Sequence, residues 1–204
     1  RSNMVMEYTN LKEGEHEARL AYVAGLGLQK REYKGEVKPP CKQISLCFEV
    51  LGSTVKIDGV VRPRTIWHKG FNVFGKMSGL STEYAMYKAF VPTAEEDTTA
   101  DWESVLGEPV NIIIKNEERN GKVYDTVTGV TSIPSKYRDS VDESTITNQC
   151  VGDAEDADSP AIKSLFGLAR WKHGNRLATQ TKPTETHDPV VAEDEVSFDN
   201  DVPF

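Results

Sequence analysis

Two stretches of this chain alternate apolar and polar side chains with a period of two, and that period dictates strands. In EARLAYVAGLGL, residues 17–28, Ala18, Leu20, Tyr22, Ala24 and Leu26 fall on one side. In KQISLCFEVL, residues 42–51, the same holds for Ile44, Leu46, Phe48 and Val50. Residues two apart share a face only in extended chain, so both read as half-buried strands. Gly25 and Gly27 permit the first to bend or bulge, as a strand must when it curls. Two dipeptides, Asp58-Gly59 and Asn120-Gly121, accept the left-handed backbone of a two-residue hairpin turn. They predict strand 55–57 returning as 60–67, and strand 110–115 returning as 123–131. Pro63 makes 60–67 an edge or irregular strand, and 71–74 extends it beyond Gly70.

Between residues 81 and 91 the spacing becomes helical, with Ser81 as the N-cap and Tyr84, Tyr87 or Lys88, and Val91 on one side. Residues 101–106 read as a second short helix, capped by Asp101 or Thr99 and stopped by Gly107. Residues 29–43 read as a polar loop containing Gly35, Pro39 and Pro40. After Pro134 the composition drifts to Ser, Thr, Asp and Glu, with 152–158 as an acidic linker. Ser159-Pro160 then opens a small helix that must dock through Ile162, Leu165, Phe166 and Ala169, being too short to persist alone. Beyond Gly174 the Thr, Pro, Glu and Asp content cannot support a core, which predicts disorder.

Strand, loop, strand, strand, helix, hairpin is the layout of an OB-fold: a mainly β, five-stranded, partly open barrel with one or two inserted helices, here followed by a disordered acidic C-terminal tail. The expected division is an N-terminal extension over 1–10, with Arg1-Ser2-Asn3 an expression remnant, the OB-fold domain over 11–136, a linker plus docking helix over 137–176, and the tail over 177–204.

The net charge of −8 is unevenly spread. Residues 177–204 hold seven acids against one base, Lys182, whereas residues 12–76 hold twelve bases against seven acids. A basic body with an acidic tail is typical of a polyanion binder. No apolar run approaches the ~20 residues that span a bilayer, which predicts no membrane partner. Cys41, Cys47 and Cys150 make an odd count, as in a reducing cytoplasm. They lack metal-ligand spacing, and His16, His68, His173 and His187 are scattered, so neither metal nor cofactor is expected. No phosphate-binding, dinucleotide or nucleophile motif is present, so no catalytic residue is assigned. Asp58, Asp101 and Asp125 would serve a magnesium-dependent nuclease, but read better as turn, cap and solvent-facing acids.

Two segments combine cations with flat rings, as binding of unpaired nucleic acid requires. Cations replace counterions along the phosphates, and bases stack on rings. The first is KREYKGEVKPPCK, with Lys30, Arg31, Lys34 and Lys38 beside Tyr33. The second is RPRTIWHKGFNVFGK, with Arg62, Arg64 and Lys69 beside Trp67. Tyr33 and Trp67 are the candidate stacking rings, whereas strand position places Phe71 and Phe74 in the core.

The chain ends Asp199-Asn200-Asp201-Val202-Pro203-Phe204. This resembles the acidic tip of bacterial single-stranded-DNA-binding proteins, which typically finish Asp-Asp-Asp-Ile-Pro-Phe. Glu13-Gly14, Ala18–Leu20, Tyr33–Glu36 and Leu46–Glu49 are similar to recurrent motifs at the start of the OB-fold single-stranded-DNA-binding proteins of tailed bacteriophages. The resemblance implies a non-catalytic protein that coats single-stranded DNA in replication or recombination, in the host cytoplasm, without a cofactor. It also implies that Asp199, Asp201, Val202, Pro203 and Phe204 recruit replication and recombination proteins, since a terminal carboxylate and an aromatic ring can share one basic-rimmed apolar pocket. The alternative class is a protein–protein adaptor that binds no nucleic acid.

Overall fold

The computed structural model describes residues 6, 7 and 9–178. The acidic tail beyond Ala178 and its tip lie outside them, whereas Leu177, at the start of the expected disordered tail, bridges to Leu28. In chain order the elements are β1 (Met6–Glu7), β2 (Gly14–Tyr33), β3 (Glu36–Ile57), β4 (Val60–Trp67), β5 (Phe71–Asn72), α1 (Thr82–Phe90), β6 (Pro109–Arg119), β7 (Lys122–Ser132), α2 (Ser135–Arg138), β8 (Cys150–Gly152), α3 (Pro160–Lys163) and α4 (Gly167–Gly174). One mainly antiparallel sheet runs β1-β3-β2-β6-β7, with β4 and β5 also on β3 and β8 parallel to β2. It does not close: β4 and β7 share no backbone ladder.

Both predicted hairpins form. Asp58 and Gly59, and Asn120 and Gly121, all take positive φ. A third hairpin replaces the polar loop expected over 29–43. β2 and β3 stay paired to Tyr33↔Glu36, and Lys34 and Gly35 make the turn with φ of 52° and 80°. Lysine occupies a conformation that glycine adopts more readily, because the ribbon's twist demands a turn of this hand. Pro39 and Pro40 do not break β3: the register steps from Gln29↔Cys41 to Arg31↔Lys38, so a bulge absorbs both.

β2 is buried on both faces rather than one. A register shift between Leu20 and Tyr22 offsets the alternation. Ala18, Leu20 and Val23 join a cluster with Leu46, Phe48, Val50, Ile112 and Val127. Ala21, Tyr22, Ala24 and Leu26 join another with Cys47, Ala161, Ile162, Leu165 and Ala169. The first cluster is capped by α1, whose N-cap Ser81 hydroxyl accepts from the Tyr84 amide as expected. Trp102 lies edge-on to Tyr87 with ring centres 5.2 Å apart. The helix expected over 101–106 is instead a turn, in which Asp101 accepts from the Ser104 amide at 3.2 Å.

The second cluster is covered by residues 141–178, which the sequence presented as a linker and one docking helix. The buried Arg19 guanidinium donates to the carbonyls of Gly107, Val141 and Asp142. The buried Glu49 carboxylate accepts from Ser144 and from both the amide and hydroxyl of Thr145. Burial pushes that carboxyl up, but these hydrogen bonds outweigh it and hold it below the usual range. The docking helix is two short pieces broken at Phe166. Ile162, Leu165 and Ala169 face the sheet as expected, while Phe166 is exposed.

Candidate functional site

The outer edge of β2 is covered in succession by β6, by β8, and by a bridge from Leu177, whose amide donates to Leu28 O at 2.8 Å. The opposite edge of β3 is covered by β4, β5 and the Val73 amide, which reaches Lys42 O. Toward the turn from Leu28 and Cys41 no further strand pairs with either edge of the ribbon among the described residues, and it continues as a two-stranded arm of roughly 15 Å, at about 3.3 Å per residue.

At the root of this arm lies an open groove of about 450 Å³, lined by Lys30, Arg31, Glu32, Tyr33, Lys38, Pro39, Gln43 and Asn72. Arg31 and Tyr33, two apart on β2, share a face with their cross-strand partners Lys38 and Glu36. Tyr33 is 62% exposed, with the Lys34 ammonium 5.4 Å from its ring centre. The Arg31 guanidinium stands 5.2 Å from the centre of Phe74, which is 57% exposed. Lys38 pairs with Glu36, but among the described residues no carboxylate pairs with Lys30, Arg31 or Lys34. Four of the expected cations and one expected ring therefore come together.

The second basic segment disperses. Arg64 is buried rather than displayed: it pairs with Asp125 of β7, itself buried, and donates to Thr9 O at 2.7 Å. The expectation that it contacts phosphate is corrected, because this guanidinium is buried and its charge is already compensated by Asp125. Trp67 is half-buried, packs against the second cluster, and donates through its indole nitrogen to Ser164 O at 3.1 Å. It is a docking ring for the α3 turn, not an open stacking platform. Arg62 is exposed but opposite Val55, far along β3 from the groove. Lys69 remains exposed next to buried His68. Burial first, then Lys69 and Lys172, push His68 down to about 4, so it is neutral at ordinary pH.

The groove and its immediate surroundings hold residues that sequence reasoning passed over. Phe74 was assigned to the core with Phe71, but β5 ends at Asn72 and only Phe71 is buried. The glycine directly after Phe74 was the available signal for a chain turning outward. Gln43 and Asn72 carry no charge and meet only through the β3–β5 register, and Lys172 arrives from α4, so no local pattern marks them.

The three acids considered for a nuclease perform separate tasks. Asp58 makes a turn, Asp101 accepts from Ser104, and Asp125 pairs with Arg64. Among the described residues no group of three or more His, Cys, Asp or Glu is placed to hold a metal, and no helix is long and apolar enough to cross a membrane. No protein-family model matches this chain, and no curated protein matches it either.

Proposed function

We propose that this chain is a non-catalytic single-stranded-DNA-binding protein of the OB-fold type, serving replication or recombination as in phages and recruiting partners through residues 199–204. The observation that carries the reading is the coincidence of an exposed ring in the groove, Tyr33, and a second beneath Arg31, Phe74, with the cations Lys30 and Arg31, which no described carboxylate pairs. A flexible polyanion with splayed bases needs both, because phosphates require compensation and bases require flat apolar surfaces. The fold supports the same reading. The pairing order β4-β3-β2-β6-β7, with α1 between β5 and β6, is compatible with the strand order of an OB-type barrel left open between its third and fifth strands. Arg64–Asp125 bridges that gap by side chains instead of a ladder. The arm joins the first two barrel strands, the connection that borders the oligonucleotide groove in such folds.

A gel-shift series with oligo-dT and duplex DNA, with and without magnesium, tests this. The expected result is a retarded oligo-dT, an unshifted duplex and no loss of substrate. Changing Lys30, Arg31 and Lys34 together to Ala should weaken every sequence alike. It should also flatten the dependence of log affinity on log salt by roughly two, at about 0.7 per phosphate lost. An oligo-dT that the intact chain fails to retard overturns the reading, and magnesium-dependent degradation replaces it with a nuclease.

A further inference from the structure

The floor of the groove is a pair of amides whose orientation is fixed from behind. Lys172, in the last turn of α4, places its ammonium 3.0 Å from Gln43 Oε1. Lysine has three donors and no acceptor, so only the oxygen of the Gln43 amide can face it. The Gln43 nitrogen is thereby turned toward Asn72, whose Oδ1 it meets at 2.9 Å. Asn72 is then committed in its turn: its oxygen is occupied, and its Nδ2 group meets no acceptor among the described residues. Both amides line the groove together with Lys30, Arg31 and Lys38.

α4 is itself held at this spot. The buried Gln29 side chain donates to Lys172 O at 3.1 Å, and Leu177 pairs with Leu28 just beyond. Burial, and secondarily the nearby Lys69, hold the Lys172 ammonium below the ordinary lysine range.

We infer that Lys172, Gln43 and Asn72 form a polarised relay that presents Asn72 Nδ2 to a phosphodiester oxygen, making the groove floor a phosphate seat aligned with the cations of the arm. Donors without a neighbouring acceptor, backed by positive charge, suit an anionic oxygen. In this arrangement Asn72 touches the ligand, and Lys172 is a positioning residue that acts through Gln43. The inference rests on the single-stranded-DNA reading and adds to it a contact contributed by the C-terminal helix.

The test uses the full chain and oligo-dT, with affinity measured across a salt series and the melting temperature recorded for each variant. Lys172→Met should weaken binding roughly tenfold, the order expected for a hydrogen bond to a charged group. It should also lower the salt slope by about 0.7. Lys172→Arg, which still offers donors to Gln43, should restore most of both. Asn72→Leu removes the outward donor without adding charge, and should lose about as much affinity as Lys172→Met with its melting temperature unchanged. Intact binding in Asn72→Leu, or a Lys172→Met loss that tracks the melting temperature and is not rescued by Arg, overturns the relay while leaving the DNA reading in place. If the unmodified chain does not bind oligo-dT, both fall together.

Discussion

Arg31 and Arg64 sit in equally basic surroundings in the sequence, yet the fold treats them oppositely. Arg31 stands at the root of an arm with both edges uncovered, over the ring of Phe74, and no described carboxylate meets it. Arg64 is sealed between β4 and β7 against Asp125, with Thr9 O taking a further donor and the Leu11 amide reaching the same carboxylate. The first arrangement keeps a cation hydrated and available, so neutralising it costs the fold little. The second uses its charge to hold the sheet together where backbone pairing stops. Density of Lys and Arg in a sequence therefore does not measure a binding surface, because whether a cation is displayed depends on partners far along the chain.

The largest effect that could break this contrast concerns stability. Arg64→Ala strands the Asp125 carboxylate in a buried site and should cost about 3–5 kcal/mol. Arg31→Ala should stay within about 0.5 kcal/mol. Denaturant unfolding of the two variants checks both, and an Arg64 cost below about 1 kcal/mol would show that the buried pair closes nothing.

Acid provides the next discrimination. The native His68 titrates at about 4, below its ordinary 6.5, so between those values the unfolded chain binds a proton that the native chain refuses. Stability conferred by keeping this ring neutral is present above pH 6.5 and is lost progressively as pH falls toward 4. At pH 5 the loss should be about 2 kcal/mol relative to pH 7. The depressed Glu49 acts in the same direction at lower pH, whereas burial raises the Glu83 carboxyl and opposes it. Urea unfolding at pH 7 and pH 5 should show this slope in the unmodified chain and a shallower one in His68→Gln. Oligo-dT affinity should hold wherever the chain stays folded.

The smallest expected change sharpens the arm itself. Tyr33→Ala and Phe74→Ala should each weaken oligo-dT binding by about 1 kcal/mol, near fivefold, through lost stacking. Melting temperatures should not move. An effect at Tyr33 with none at Phe74 would leave Arg31 as the reason that Phe74 is exposed.

What the sequence revealed followed from interactions between near neighbours. The alternation over 42–51, the turns at Asp58-Gly59 and Asn120-Gly121, and the Ser81 cap each need only residues a few positions apart, and each is in the structure. The cations and ring of the first basic segment lie together for the same reason, on one short hairpin. The larger misreadings involve distant partners. Pro39 and Pro40 argued for a loop until the β2 partner supplied a bulge. Arg64 looked exposed until Asp125 arrived from sixty-one residues away. Residues 141–152 looked like a linker because their ties, to Arg19, Glu49 and the edge of β2, are not written near them.

The one-residue offset between Leu20 and Tyr22 carries a practical consequence. It makes β2 a beam shared by two halves of the molecule, with one apolar side under α1 and the other under residues 141–178. A fragment trimmed at the apparent end of the last hairpin would bare Tyr22, Ala24 and Leu26 as an adhesive strip. It would also leave the root of the arm without Leu177 and α4, so the gripping element and the wrapping segment are inherited, lost or engineered as one unit.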